Sequence, residues 1–232
     1  MKNIEYFKMA EYYDLLYKNK DYEREVDFIN NFVKDKNDFI LDAGCGTGNH
    51  AKIIYNKYPN VFGFDLSESM VNIANSKING HFEFGNILNY KTDKKFDLII
   101  SFYAVFNHLR NYKQFKMALS NLKKLLNENG TIIIDLHNPL KSGKKIDKIE
   151  NITRLMKWRI CKFLKIEKTK ITYTIDNKIF KTSHKFKIYN IDKLKKICEK
   201  IDFKEIAFYE NYNIKSTANK FSKNIQIVMK KN

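Results

Sequence analysis

Ile40-Leu41-Asp42-Ala43-Gly44-Cys45-Gly46-Thr47-Gly48-Asn49-His50 is the stretch that decides the fold. A short apolar run enters three glycines at alternate positions, and a helical pattern follows. Glycine lets the backbone turn sharply and lets a ligand approach it closely, because no Cβ intervenes. Dinucleotide sites also use a glycine-rich strand-to-helix turn, but their G-x-G-x-x-G spacing differs from the D-x-G-x-G-x-G found here. An Asp ahead of the first glycine would repel a pyrophosphate, whereas it suits a cationic amino acid moiety. Asp65 closes the next apolar run, Val61-Phe62-Gly63-Phe64. A carboxylate at that strand end can accept hydrogen bonds from both hydroxyls of a ribose. Together the turn and Asp65 favour an adenosine-bearing ligand; either alone also reads as an ordinary turn or helix cap.

Outward from this motif, strands and helices alternate. Apolar runs at 39–41, 61–64, 81–84, 96–101 and 131–136 are separated by helical patterns at 50–58, 68–77 and 112–126, and Asn129-Gly130 is expected to stop the last helix. Such alternation predicts a mostly parallel sheet wrapped by helices on both faces. After Pro139 the period becomes two: Ile171, Tyr173 and Ile175 alternate with threonines, Asp176-Asn177 marks a turn, and His184, Phe186 and Ile188 alternate with Lys185 and Lys187. This predicts an inserted antiparallel cap. A helix at 191–200 and strands at 203–209 and 225–229 bring the main sheet to seven strands. The expected organisation is one domain: an aromatic helical lid (1–36), a ligand-binding core (37–140), the cap (141–190) and the closing helix and strands (191–232).

Composition sets bounds. With 232 residues, 44% of them hydrophobic, eight Gly and two Pro, the chain reads as an ordered globular protein. No apolar run reaches the roughly 18–20 residues of a membrane span, and the polar, aromatic beginning MKNIEYFKMAEYYD is not a secretory signal. Cys45, Cys161 and Cys198 form no CxxC pair, which argues against disulfides and a metal site. Cytoplasmic residence without integral membrane association is expected. The net charge of +17 falls almost wholly after residue 140. Those lysines either face an anionic partner or form a solvated surface.

The motifs DAGCGTG, GFDLSESM, GN, FDLIIS and NENGTIII, in this order, resemble those of class I S-adenosylmethionine-dependent methyltransferases. The resemblance runs from the Asp14 region to the C-terminus and implies a Rossmann-like fold with S-adenosyl-L-methionine as cofactor. It implies that Gly44 and Gly46, with Asp42 before them, lie at the methionine part and that Asp65 binds the ribose. Leu66 and Met70 would pack near the adenine, and Asn86 and Ile87 would flank it, with Asn86 standing where the family usually has Asp. Phe102 would border the sulfonium. Tyr13-Asp14-Leu15-Leu16-Tyr17 with Lys20-Asp21-Tyr22, Phe106-Asn107-His108-Leu109 and Ser183-His184 look like segments of small-molecule N-methyltransferases, including those acting on nucleotide sugars. In that group an aromatic N-terminal helix closes over the cofactor and a His sits close to the substrate amine.

Methyl transfer to an amine needs a neutral nucleophile aimed at the methyl carbon, and a His near neutral pH suits the accompanying proton movement. His108 is the first candidate and His184 the second, although either fits a loop or strand histidine. Tyr13 and Tyr17 line the transfer site or belong to the core face of their helix. The expected substrate is a small amine bearing phosphate, a nucleotide amino sugar or a phosphorylated amino alcohol, attracted by cap lysines such as Lys185 and Lys187. Nucleic-acid methylation is the alternative, supported by the basic C-terminal part but lacking an Asn/Asp-Pro-Pro-aromatic run after the fourth strand. Sugar O-methylation and a non-catalytic cofactor-binding subunit are further readings. The basic and aromatic segment 154–165 reads as a cap strand or as a membrane-surface segment, and the strand is preferred. No sequence feature specifies a homo-oligomer.

Overall fold

The computed structural model describes residues 3–78 and 81–232, with the side chains of 3–9 outside the description. In chain order the elements are α1 (Asn3–Leu16), α2 (Tyr22–Asn30), β1 (Ile40–Ala43), α3 (Asn49–Tyr55), β2 (Val61–Asp65), α4 (Glu68–Lys77), β3 (Phe82–Phe84), β4 (Phe96–Ser101), α5 (Tyr112–Leu125) and β5 (Leu126–His137). Then come β6 (Gly143–Ile149), β7 (Ile152–Cys161), β8 (Ile166–Ile175), β9 (Lys178–Lys187), α6 (Ile191–Lys200), β10 (Phe203–Glu210), β11 (Asn213–Thr217) and β12 (Asn224–Lys231).

The large sheet has the order β11-β10-β12-β5-β4-β1-β2-β3. Strands β3, β2, β1, β4 and β5 run parallel, and β12, β10 and β11 are antiparallel. Ile40 and Leu41 of β1 and Leu98, Ile99 and Ile100 of β4 are fully buried because helices cover both faces. One face packs against α5 through Phe115, Leu119 and Leu122; the other receives Val26, Phe28 and Ile29 of α2 and Ile54 of α3. The chain reverses direction across the sheet between β1 and β4. In open α/β sheets the crevice outside the strand ends at such a switch point is where ligands bind.

Two sequence expectations are corrected. The sheet has eight strands rather than seven, because Asn213–Thr217 adds an edge strand after Asn211 and Tyr212, both with positive φ. That strand is mostly exposed and carries no apolar alternation to announce it. Asn129-Gly130 also does not stop α5, which ends at Leu125. Leu126 enters extended backbone directly and pairs with Phe96, and Asn129 (φ 59°) lies where the β4–β5 register shifts.

The inserted segment forms a second, four-stranded antiparallel sheet in the order β6-β7-β8-β9. Asp176 and Asn177, at φ 46° and 63°, make the two-residue hairpin turn expected from the sequence. The inner face packs Ile152, Ile171, Tyr173 and Ile175 against Leu16 of α1. Buried Asn107 pins both necks of the cap. Its Nδ2 donates to His137 O and to Lys187 O, both at 2.8 Å, and its Oδ1 accepts from His137 N at 2.9 Å. Among the described residues no helix is long and apolar enough to cross a membrane.

Candidate active site

A cavity of about 810 Å³ opens at the carboxyl ends of β1, β2 and β4. Its floor is the glycine turn. Gly44, Gly46 and Gly48 have φ of +87°, +55° and +74°, a region side chains rarely adopt. A Cβ on Gly44 would stand 2.7 Å from Val105, whereas Gly46 has open space before it. The turn is tied to the next strand, since Gly46 N donates to Asp65 Oδ2 (3.0 Å) and Ser67 N to Asp65 Oδ1 (2.9 Å). Burial pushes the Asp65 carboxyl above its ordinary range while these backbone donors pull it down. Each oxygen keeps acceptor capacity for a further hydroxyl.

Of the residues singled out in the sequence, Tyr13, Gly44, Gly46, Asp65 and Leu66 line this cavity, as do Met70, Asn86, Ile87, Phe102 and His108. Asn86 Oδ1 accepts from Leu88 N (3.0 Å), so it caps its own turn as well as facing the cavity. Asp42, Tyr17 and His184 stand one layer back. Asp42 is almost wholly buried, and among the described residues its Oδ2 has no hydrogen-bond partner. Burial pushes its pKa up to about 6; the charge of His50 opposes this and that of Asp65 adds to it. Tyr17 packs behind the wall, with its ring 4.7 Å from Tyr13 and 5.1 Å from Tyr103 and the Arg154 guanidinium 5.0 Å from its face.

The roof of the site is where core and cap meet. His108 presents its ring to the cavity and lies 5.8 Å from His184 and 4.7 Å from Phe186 of β9. Enclosure by protein, with the neighbouring His184, pushes the His108 pKa down to about 4, and burial lowers that of His184. Both imidazoles are therefore neutral at pH 7. Tyr103 and Ala104, at φ 65° and 61°, form a strained turn after β4. Asp135 holds that turn by accepting from Ala104 N and from Tyr212 Oη, each at 2.7 Å.

Several site residues were not singled out from the sequence. Asp14 of α1 accepts from Thr47 Oγ1 (2.6 Å) and Asn49 Nδ2 (2.9 Å) and pairs with Lys77 (2.6 Å), which fastens α1 to the glycine turn. His50 on the wall bonds buried Glu25 (2.5 Å), which also pairs with Lys20. Arg110 is the one Lys or Arg on the wall among the described residues. Only the location of His50, next to the glycine turn, could have drawn attention to it; the other links join residues far apart in the chain. Lys185 instead projects from the outer face of the cap, and Lys187 Nζ donates to Leu164 O (2.8 Å), so neither reaches the cavity.

The glycine turn and Asp65 fit S-adenosylmethionine: backbone without side chains faces the cavity, and a carboxylate with spare acceptor capacity stands at the next strand end. Comparison with known proteins agrees. A methyltransferase-domain family model matches residues 40–130. An uncharacterized protein of Methanocaldococcus jannaschii is 33% identical over 220 residues, spanning 93% of this chain and 81% of that protein. The dTDP-3-amino-3,4,6-trideoxy-alpha-D-glucopyranose N,N-dimethyltransferase of Streptomyces venezuelae is 24% identical over 132 residues. That match covers 54% of this chain and 56% of the relative, so it spans little more than half of either. In fold, an S-adenosylmethionine-dependent methyltransferase from Clostridium acetobutylicum superposes with a TM-score of 0.81 at 22% identity, covering 97% of this chain and 98% of that one. An amino pentose methyltransferase from Micromonospora echinaspora, solved with S-adenosylmethionine bound, gives 0.77 at 15% identity, covering 95% and 96%. Cradle, fold and matched domain agree: the chain carries a methyltransferase domain and is an S-adenosylmethionine-dependent methyltransferase.

Proposed function

We propose that this enzyme N-methylates a small amine that carries phosphate, with a nucleotide amino sugar or a phosphorylated amino alcohol as the substrate class. The observation that carries the reading is His108, a neutral imidazole on the cavity wall beneath the cap. When bound, S-adenosylmethionine supplies an electrophilic methyl group, so the protein's work is alignment and exclusion of water. Gly44, Gly46 and Asp65 would hold the donor, with Met70, Asn86 and Ile87 around its adenine. The depressed pKa makes His108 a hydrogen-bond acceptor rather than a strong base. It would accept an N–H of the neutral amine and so turn the lone pair toward the methyl carbon. Tyr13 and Tyr103 wall the acceptor space, and His184 backs His108 from the cap. Among the described residues no lysine of the cap lines the cavity, which leaves Arg110 as the phosphate contact. The named dTDP-amino-sugar relative supports an amine acceptor.

The test is transfer of labelled methyl from S-adenosylmethionine to a panel of nucleotide amino sugars, phosphorylated amino alcohols, their unphosphorylated counterparts, hydroxyl-only sugars and tRNA. Label should enter the phosphorylated amines and be blocked by N-acetylation. Arg110→Ala should raise KM about tenfold or more with little change in kcat. Preferential labelling of tRNA or of a hydroxyl-only sugar would overturn the reading.

A further inference from the structure

We propose that the outer face of the cap, together with the turn joining β7 to β8, docks this enzyme onto an anionic lipid bilayer surface. The pairing register puts Lys144, Lys157 and Lys170 in one row across β6, β7 and β8. Arg159, Lys168 and Lys185 form a second row across β7, β8 and β9. All six side chains are exposed. Neighbouring strands lie about 4.8 Å apart, well inside a Debye length of about 8 Å, and like charges directly opposite one another destabilise a sheet. Among the described residues, none of these six takes part in an ion pair.

The acidic residues of the cap lie elsewhere. Asp147 pairs with Arg154, Glu167 is buried beside Thr169, and Glu150 and Asp176 occupy turns. A solubilising surface mixes both signs. Lysines that guard a sheet belong on its edge strands, yet Lys168 and Lys170 sit on the inner strand β8. A face of one sign, held against its own repulsion, calls for an anionic partner.

The turn selects a bilayer over a nucleic acid. It spans Lys162-Phe163-Leu164-Lys165, with Phe163 94% and Leu164 51% exposed. An aromatic and an aliphatic side chain at a protruding tip, flanked by lysines, supply the apolar half of interfacial binding, and the basic rows beside them supply the electrostatic half. A single-strand nucleic-acid platform instead stacks bases on aromatic side chains. The outward positions of these strands hold Lys, Arg, Thr, Ser, Leu, Ile and Cys but no aromatic. Docking by this face leaves the inner face of the cap, and the cavity beneath it, uncovered by the bilayer.

The experiment is co-sedimentation of the full chain with vesicles of pure phosphatidylcholine and with vesicles containing about one-third phosphatidylglycerol. Binding is expected only to the anionic vesicles and should weaken with salt. Phe163→Ser should lower the partition coefficient about five- to tenfold, and Lys168→Glu with Lys185→Glu should lower it more than tenfold. Calorimetric binding of S-adenosylmethionine should be unchanged in both variants, which shows that the fold and the donor site are intact. Absence of binding, equal binding to both vesicle types, or insensitivity to either variant overturns the proposal. So does tighter binding of a single-stranded oligonucleotide that is indifferent to Phe163→Ser.

Discussion

In the large sheet, β1 and β4 bury both faces and offer the ligand mainly their carboxyl ends; in the cap, β8 buries alternate side chains and leaves Lys168 and Lys170 in solvent. The first arrangement makes a site from backbone. Glycine N–H groups, strand termini and one carboxylate are set by the fold itself, so a common cofactor can be held on sequences that differ widely. The second makes a surface from alternate side chains, one set toward the core and one toward solvent. His184, Thr182 and Phe186 can be exchanged without touching the ladder of hydrogen bonds that carries them. On the proposed reading the core would hold the donor, and the cap would back the acceptor space through His184, behind His108, rather than line it.

Four measurements would break or sharpen this division. The largest effect is expected from Asp65→Ala, which would remove the proposed acceptor for two ribose hydroxyls. Hydrogen bonds to a charged group are worth about 1.5–3 kcal/mol each, so calorimetry should find the affinity for S-adenosylmethionine lowered by two orders of magnitude or more, with the cap unchanged. Retained affinity would refute the core half of the comparison. Next is Asp42, whose pKa in the folded protein is about 6 against an ordinary 3.8. A raised carboxyl favours the folded state below the unfolded pKa, and that advantage is lost as pH rises through 6. The stability of the wild type relative to Asp42→Asn should therefore fall by about 2 kcal/mol between pH 4 and pH 7. Parallel pH curves in urea unfolding would refute the assignment.

Asn107→Ala addresses the joint between the two sheets. Losing three buried hydrogen bonds at the cap's necks should cost about 2 kcal/mol, and the loss should show as faster amide exchange in β9 than in β1. Uniform exchange would mean that the sheets do not move separately. The smallest effect concerns His108. Its pKa lies below the ordinary 6.5, so it is neutral in the folded protein from neutral pH down to about 4. The acid limb of kcat/KM that disappears in His108→Asn should lie near pH 4, and a limb near 6.5 would show that the imidazole is not enclosed.

The core was legible because its signals are local. The glycine turn, Asp65, the helix Glu68–Lys77 and the strand Phe96–Ser101 are each encoded by consecutive residues. Edge strand β11 was not legible: its NIKST run is mostly exposed and exerts no apolar selection. Nor was Asn107, whose partners His137 and Lys187 are distant in sequence and meet only once the cap is folded. The cap lysines are instructive. Period-two alternation with His184 and Phe186 already required Lys185 and Lys187 to share the opposite face. Since the apolar set seeks the core, that face is the outer one. Reading them as substrate attractors considered their charge and overlooked their parity.

Helix α1 is moored twice. Asp14 ties it to Thr47, Asn49 and Lys77 beside the donor cradle, and Leu16 is embedded in the underside of the cap. If a spent donor left past α1, it would break the first mooring and slacken the second. The steady-state signature of that route would be compulsory-order turnover, with S-adenosylmethionine first to arrive, the methylated product first to leave, and S-adenosylhomocysteine competing with the donor alone.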